Sequence, residues 1–179
     1  MQRLLAPHGG PAVQRWAVTL PAGTTDGQKV LDHMAKSSPY AQTGAWARTF
    51  VKLDWGGDPV FATSGGTTTA TVKNPTVTRS ARVDMPTWAP TDATMASAWA
   101  KAMTELRTHE TEHEKVATTW ETTLRSRLTA LSVTLPKQDL AEFKKAVQAS
   151  WDAWLIEHQA DQTALDPYTV TLDMSGGDG

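Results

Sequence analysis

Cysteine is absent from the 179 residues, so disulfides and thiolate metal ligands are excluded and any metal site must use His, Glu or Asp. No apolar run is long enough to span a membrane. Residues 1–10 (Met-Gln-Arg-Leu-Leu-Ala-Pro-His-Gly-Gly) have no apolar core long enough for a signal peptide, so the chain reads as soluble as given. Basic runs and basic–aromatic interleaving are missing, which argues against nucleic acid. Histidine is scarce, at five, and no internal repeat is present. Charge nearly cancels at −2 but is uneven: residues 1–91 hold nine Lys/Arg and five Asp/Glu, residues 92–179 eight and fourteen. The acidic half favours a cation, and a solvated acidic face accounts for it equally.

What is present fits a globular protein: 40% hydrophobic residues and eight tryptophans. We expect a single domain over residues 1–172 and a flexible tail over 173–179. The first half alternates in hydrophobicity and predicts strands over 13–20, 45–55, from 60 to 63, over 67–72 and over 76–85. Turns are expected at Pro21, at Gly56-Gly57-Asp58-Pro59, at Ser64-Gly65-Gly66 and at Asn74-Pro75. A short helix over 27–36 turns Val30, Leu31 and Met34 inward. From Asp92 the period becomes helical, predicting helices over 92–130 and 137–164 joined by a turn at 131–136. The fold class is α+β: a small, mainly antiparallel twisted sheet with one short helix, then a long helix and a second antiparallel to it.

The long helix carries His109-Glu110-Thr111-Glu112-His113, an H-E-x-x-H motif. On a helix, residues i and i+4 share a face, so His109 and His113 can hold one zinc ion, with Glu110 beside the zinc-bound water as general base. A solvated, charge-rich turn is the competing reading, since Glu105, Arg107, Glu114 and Lys115 flank the motif. The flanking stripe decides between them. Trp99, Met103, Leu106, then Val116 or Ala117, Trp120, Leu124, Leu128 and Leu131 recur at three-and-four spacing, and the continuation through the gap lands on Glu110 and His113, with His109 at its edge. A core-facing His–Glu–His cluster needs a partner, and a metal supplies one.

A catalytic zinc usually has three protein ligands and an open position. His8 and His33 read as ordinary surface residues. If the two long helices pack antiparallel about a turn near Val133, His109 faces the neighbourhood of Glu157. The second stripe runs Trp151, Trp154, His158, Asp161 and Leu165. His158 is therefore the expected third ligand, with Asp161 orienting an imidazole; Glu157, Asp161 and Asp166 are alternatives, and so is a merely buried His158.

Further segments stand out: Trp16-Ala-Val-Thr-Leu-Pro-Ala-Gly-Thr-Thr, then Ser38-Pro39 and Ala45-Trp46-Ala47-Arg48-Thr49. The most telling are Val83-Asp-Met-Pro-Thr-Trp88 followed by Trp99, Leu106 and the H-E-x-x-H run, with Leu165-Asp166-Pro167-Tyr168-Thr169 near the end. Together they resemble a bacterial domain family of unknown function, often described as predicted secreted zinc-dependent proteases, and the last segment is similar to the family's terminal Tyr-Asp-x-x-Thr. Two departures stand out: Glu112 replaces a glycine, and Thr171-Leu172 stands where the family continues into His-Gly. If that histidine is a ligand in relatives, this chain has either substituted His158 or lost the site. The resemblance implies a zincin-like fold and a secreted or periplasmic setting, with cytoplasm as the alternative.

The expectation is a zinc metallopeptidase acting on polypeptide, with Glu110 as base and His109, His113 and His158 as ligands. Residues 76–85, if at a sheet edge, would pair with substrate. Tyr168 is either an oxyanion donor or a packed turn residue. The alternative function is a non-catalytic binding or assembly protein with a structural or vestigial metal site. Oligomeric state is left open.

Overall fold

The computed structural model describes residues 11–21 and 23–174. His8, Ala22 in the Pro21 turn and the tail from Ser175 lie outside the described residues. The architecture is α+β, as expected. In chain order it runs β1 (Ala12–Ala17), α1 (Gly27–Ser37), β2 (Arg48–Ser64), β3 (Thr67–Thr87), α2 (Ala93–Ala130), β4 (Ser132–Leu135) and α3 (Leu140–Thr163). The strands form one sheet in the order β1-β3-β2, with β4 also paired to β3.

Each helix starts where an aspartate can accept hydrogen bonds from the first unpaired amides. Asp26 Oδ1 takes Gln28 N at 3.0 Å, Asp92 Oδ1 takes Met95 N at 2.8 Å, and Asp139 Oδ1 takes Ala141 N at 3.0 Å. No helix among the described residues is long and apolar enough to cross a membrane.

The strands are longer than the turn signals implied. β2 runs through Gly56-Gly57-Asp58-Pro59 and β3 through Asn74-Pro75. Gly57 absorbs the irregularity at φ 150, where a Cβ would meet Val72 Cγ1 at 2.5 Å, and Asn74 takes φ 50. Only Gly65-Gly66 makes a true reversal, at φ 55 and 80, the positive values a two-residue hairpin turn requires. The expected turn at 131–136 holds β4 instead, pairing antiparallel with Thr68–Thr71 of β3. Its alternation turns Val133 and Leu135 onto the core.

Two compact units divide the chain, and β2, β3 and α2 supply residues to both. The first comprises the described residues of Met1–Phe50, Ala81–Glu114 and Tyr168–Gly179. Here β1 lies parallel to β3, Val13 opposite Val83 and Arg15 opposite Met85. β1 pairs with β3 at Arg82–Thr87, so within the segment 76–85 expected to offer an edge to substrate, residues 82–85 are already paired. Its core gathers Val30, Met34, Val83, Met95, Trp99 and Leu106, and Tyr168, Val170, Leu172 and Met174 of the last segment pack against them. Burial of each such large apolar side chain is worth about 1.5–3 kcal/mol. The second unit comprises Val51–Ser80 and Lys115–Pro167, with Leu53, Trp120, Leu124, Phe143, Val147 and Trp151 at its centre.

Candidate metal centre

The stripe that builds α2 also positions the motif. Leu106 is buried against the first core, and one turn on Glu110 is buried too, at 4% exposure. A carboxylate so far from water requires hydrogen-bond partners. β2 provides one: Thr49 Oγ1 donates to Glu110 Oε2 at 2.7 Å and lies 3.4 Å from Glu110 O. One carboxylate oxygen is thereby held in a fixed direction.

His109, at the edge of the stripe, and His113, expected on the stripe itself, are both half-buried. Their Nε2 atoms face each other at 3.3 Å and the rings meet edge to face at 88°. Tyr168 lies flat on His109, with centroids 4.3 Å apart and planes within 10°. The phenol pKa is raised, chiefly by burial and further by the charge of Glu105, so the hydroxyl keeps its proton at neutral pH.

Among the described residues, His109, His113 and Asp166 are the candidate metal ligands. Two imidazoles and one carboxylate are the donor chemistry of a catalytic zinc with an open fourth position. Zinc bonds of about 2.0–2.1 Å in tetrahedral geometry set neighbouring donors about 3.4 Å apart. The 3.3 Å between the two Nε2 atoms satisfies that spacing, so the two imidazoles fit the ion.

His158, the expected third ligand, is not in this group. It is buried at 7% exposure in the second unit, edge-on to Trp120, with its Nε2 3.0 Å from Gln162 Nε2. The amide nitrogen donates, so Nε2 accepts and the ring is neutral, and burial lowers its pKa against the opposing pull of Asp161. Asp161 accepts from Trp120 Nε1 at 2.7 Å, and Glu157 pairs with Arg127 at 2.8 Å. Both have the roles of helix-packing residues. His33 lies on α1, outside the group. Asp166, an alternative in the sequence, completes the group. Thr49 had no signal beyond its place on an alternating strand.

Fold and site together define an α+β protein with a candidate metal centre whose two histidines lie on its longest helix. The chain belongs to the family described as bacterial protein of unknown function (DUF922), whose model matches residues 18–171. No curated protein and no solved structure matches it.

Proposed function

We propose that this protein is a zinc-dependent peptidase. The observation that carries the reading is the facing pair of imidazole nitrogens at 3.3 Å beside a buried glutamate. His109, His113 and Asp166 would hold the ion. Zinc, when bound, supplies Lewis-acid polarisation of the scissile carbonyl and lowers the pKa of water.

The remaining work falls to the chain itself. Glu110 takes a proton from the attacking water and delivers it to the leaving amine, the role of a general acid–base. Thr49 fixes the direction of that carboxylate through its bond to Oε2. Tyr168 keeps the His109 ring from turning by lying flat against it. Its protonated hydroxyl is a donor for the developing oxyanion.

The test separates binding from chemistry. Full-length protein purified without metal-affinity resin should carry about one zinc per chain by elemental analysis. His113→Ala should abolish binding, and Asp166→Asn should weaken it by about tenfold or more, whereas His158→Ala should leave it unchanged. Glu110→Gln should retain zinc and lose cleavage of a denatured protein substrate by about a hundredfold or more. Zinc held firmly with no cleavage across a broad peptide library refutes the peptidase reading and leaves a structural metal site.

A further inference from the structure

The first unit contains a second feature along the same helix. A cleft of about 500 Å3 is lined by β1, the end of β3 and α2. Its floor is apolar, formed by Met85, Trp88, Trp99 and Met103, and the two indoles meet edge to face at 5.3 Å. Val13 and Arg15 of β1 enter it together, because alternate residues of a strand share a face.

The α2 wall is less polar than its composition implies. Thr104, Thr108 and Thr111 donate their hydroxyl protons to the carbonyls of Ala100, Thr104 and Arg107 at 2.9, 3.0 and 2.9 Å. With the hydroxyls turned back onto the helix, their methyl groups are the surface offered to a ligand. Among the described residues no acidic side chain lines the cleft, yet Arg15 and Arg107 both do, in a chain of net charge −2. Neither guanidinium has a carboxylate partner among the described residues. The cleft is therefore an apolar bed with uncompensated positive charge.

The strand beside it selects among anionic ligands. β1 is the outermost strand and, among the described residues, pairs only with β3. Its other edge presents backbone N–H and C=O groups to an added strand. An extended chain laid there sends alternate side chains into the cleft. Thr111, at the cleft, is the residue after Glu110, but successive residues of a helix point about 100° apart, so the bed and the imidazole pair lie on different faces of α2.

We propose that this cleft binds an extended polypeptide bearing a large apolar side chain and a carboxylate two residues apart. The apolar group rests on the tryptophan–methionine floor and the carboxylate lies with Arg15 and Arg107. The proposal rests on the peptidase reading only in naming its substrate class; binding itself requires neither metal nor cleavage.

The test uses full-length, metal-free Glu110→Gln protein and fluorescently labelled, end-blocked decapeptides in an anisotropy titration. One peptide carries a central Leu-Ser-Glu, one Leu-Ser-Lys and one Ser-Ser-Glu. The first should bind about tenfold tighter than either of the others, and its advantage over the lysine peptide should shrink as salt rises. An Arg15→Glu, Arg107→Glu double variant should prefer the lysine peptide. Arg15→Gln alone should lose about threefold for the acidic peptide, which keeps the test decisive if the double variant does not fold. Equal binding of all three peptides, or a preference untouched by these substitutions, overturns the proposal. Selective binding of a peptide that zinc-loaded parent protein never cuts supports the cleft and refutes the peptidase; cleavage without selectivity does the reverse.

Discussion

Replacing Thr49 by valine exchanges its hydroxyl for a methyl group while keeping the branched shape that suits a strand. The hydroxyl lost is the donor to Glu110 Oε2 at 2.7 Å, and the carboxylate it serves is 4% exposed. At that depth water cannot replace the missing donor. A hydrogen bond to a charged group contributes about 1.5–3 kcal/mol. The expected loss in Thr49→Val is of that size, or a melting temperature lower by about 3–12 °C for a chain of this length. Thr49→Ser keeps the donor and should recover most of the loss. Urea titration of metal-free protein measures it, provided the slope with denaturant is unchanged between variants. A loss below about 0.5 kcal/mol in Thr49→Val, within the range of ordinary surface changes, would refute the role assigned to the bond.

Trp151 is 3% exposed within the second core, so Trp151→Ala should cost about 3–5 kcal/mol in the same titration; a loss under about 1 kcal/mol would mean that α3 does not bury this face. His158 gives a pH signature. Burial lowers its folded pKa below the ordinary 6.5, so between the folded value and 6.5 the unfolded chain binds more protons. Its contribution is complete above about pH 6.5 and falls as pH drops through that window. His158→Gln should flatten the stability profile below about pH 6.5 relative to the parent; identical slopes would contradict a buried neutral ring.

The helices were legible because period and punctuation agreed. Each begins at an aspartate cap, and residue 130 ends α2 where the apolar stripe predicts. Strand boundaries were less legible, since Gly57 and Asn74 bend a continuing ladder, a distinction that requires knowing the partner strand. His109, Glu110 and His113 were readable because one helix carries them all. The surroundings of His158 were not, because the reading assumed a tight turn between α2 and α3. β4 occupies that connection, so Glu157 meets Arg127 near the end of α2 and His158 meets Trp120. Asp166 follows α3 in irregular chain, where no periodicity reports direction. The contact between Thr49 and Glu110 spans segments far apart in sequence, which composition and spacing do not encode.

The parallel pairing of β1 has a kinetic consequence. β2 and β3 meet through a two-glycine reversal, but β1 reaches β3 only by closing a loop that contains α1 and all of β2. Loop closure of that kind costs entropy before any contact repays it, and slows whichever step requires it. β1 is expected to dock last. Until it does, the edge of β3 at Arg82–Thr87 lacks this neighbour, open to any extended chain of suitable pattern. Newly made protein is then most exposed to mispairing at the strand that later forms the cleft wall, and amide exchange in Ala12–Ala17 should be the last in the sheet to become protected during refolding.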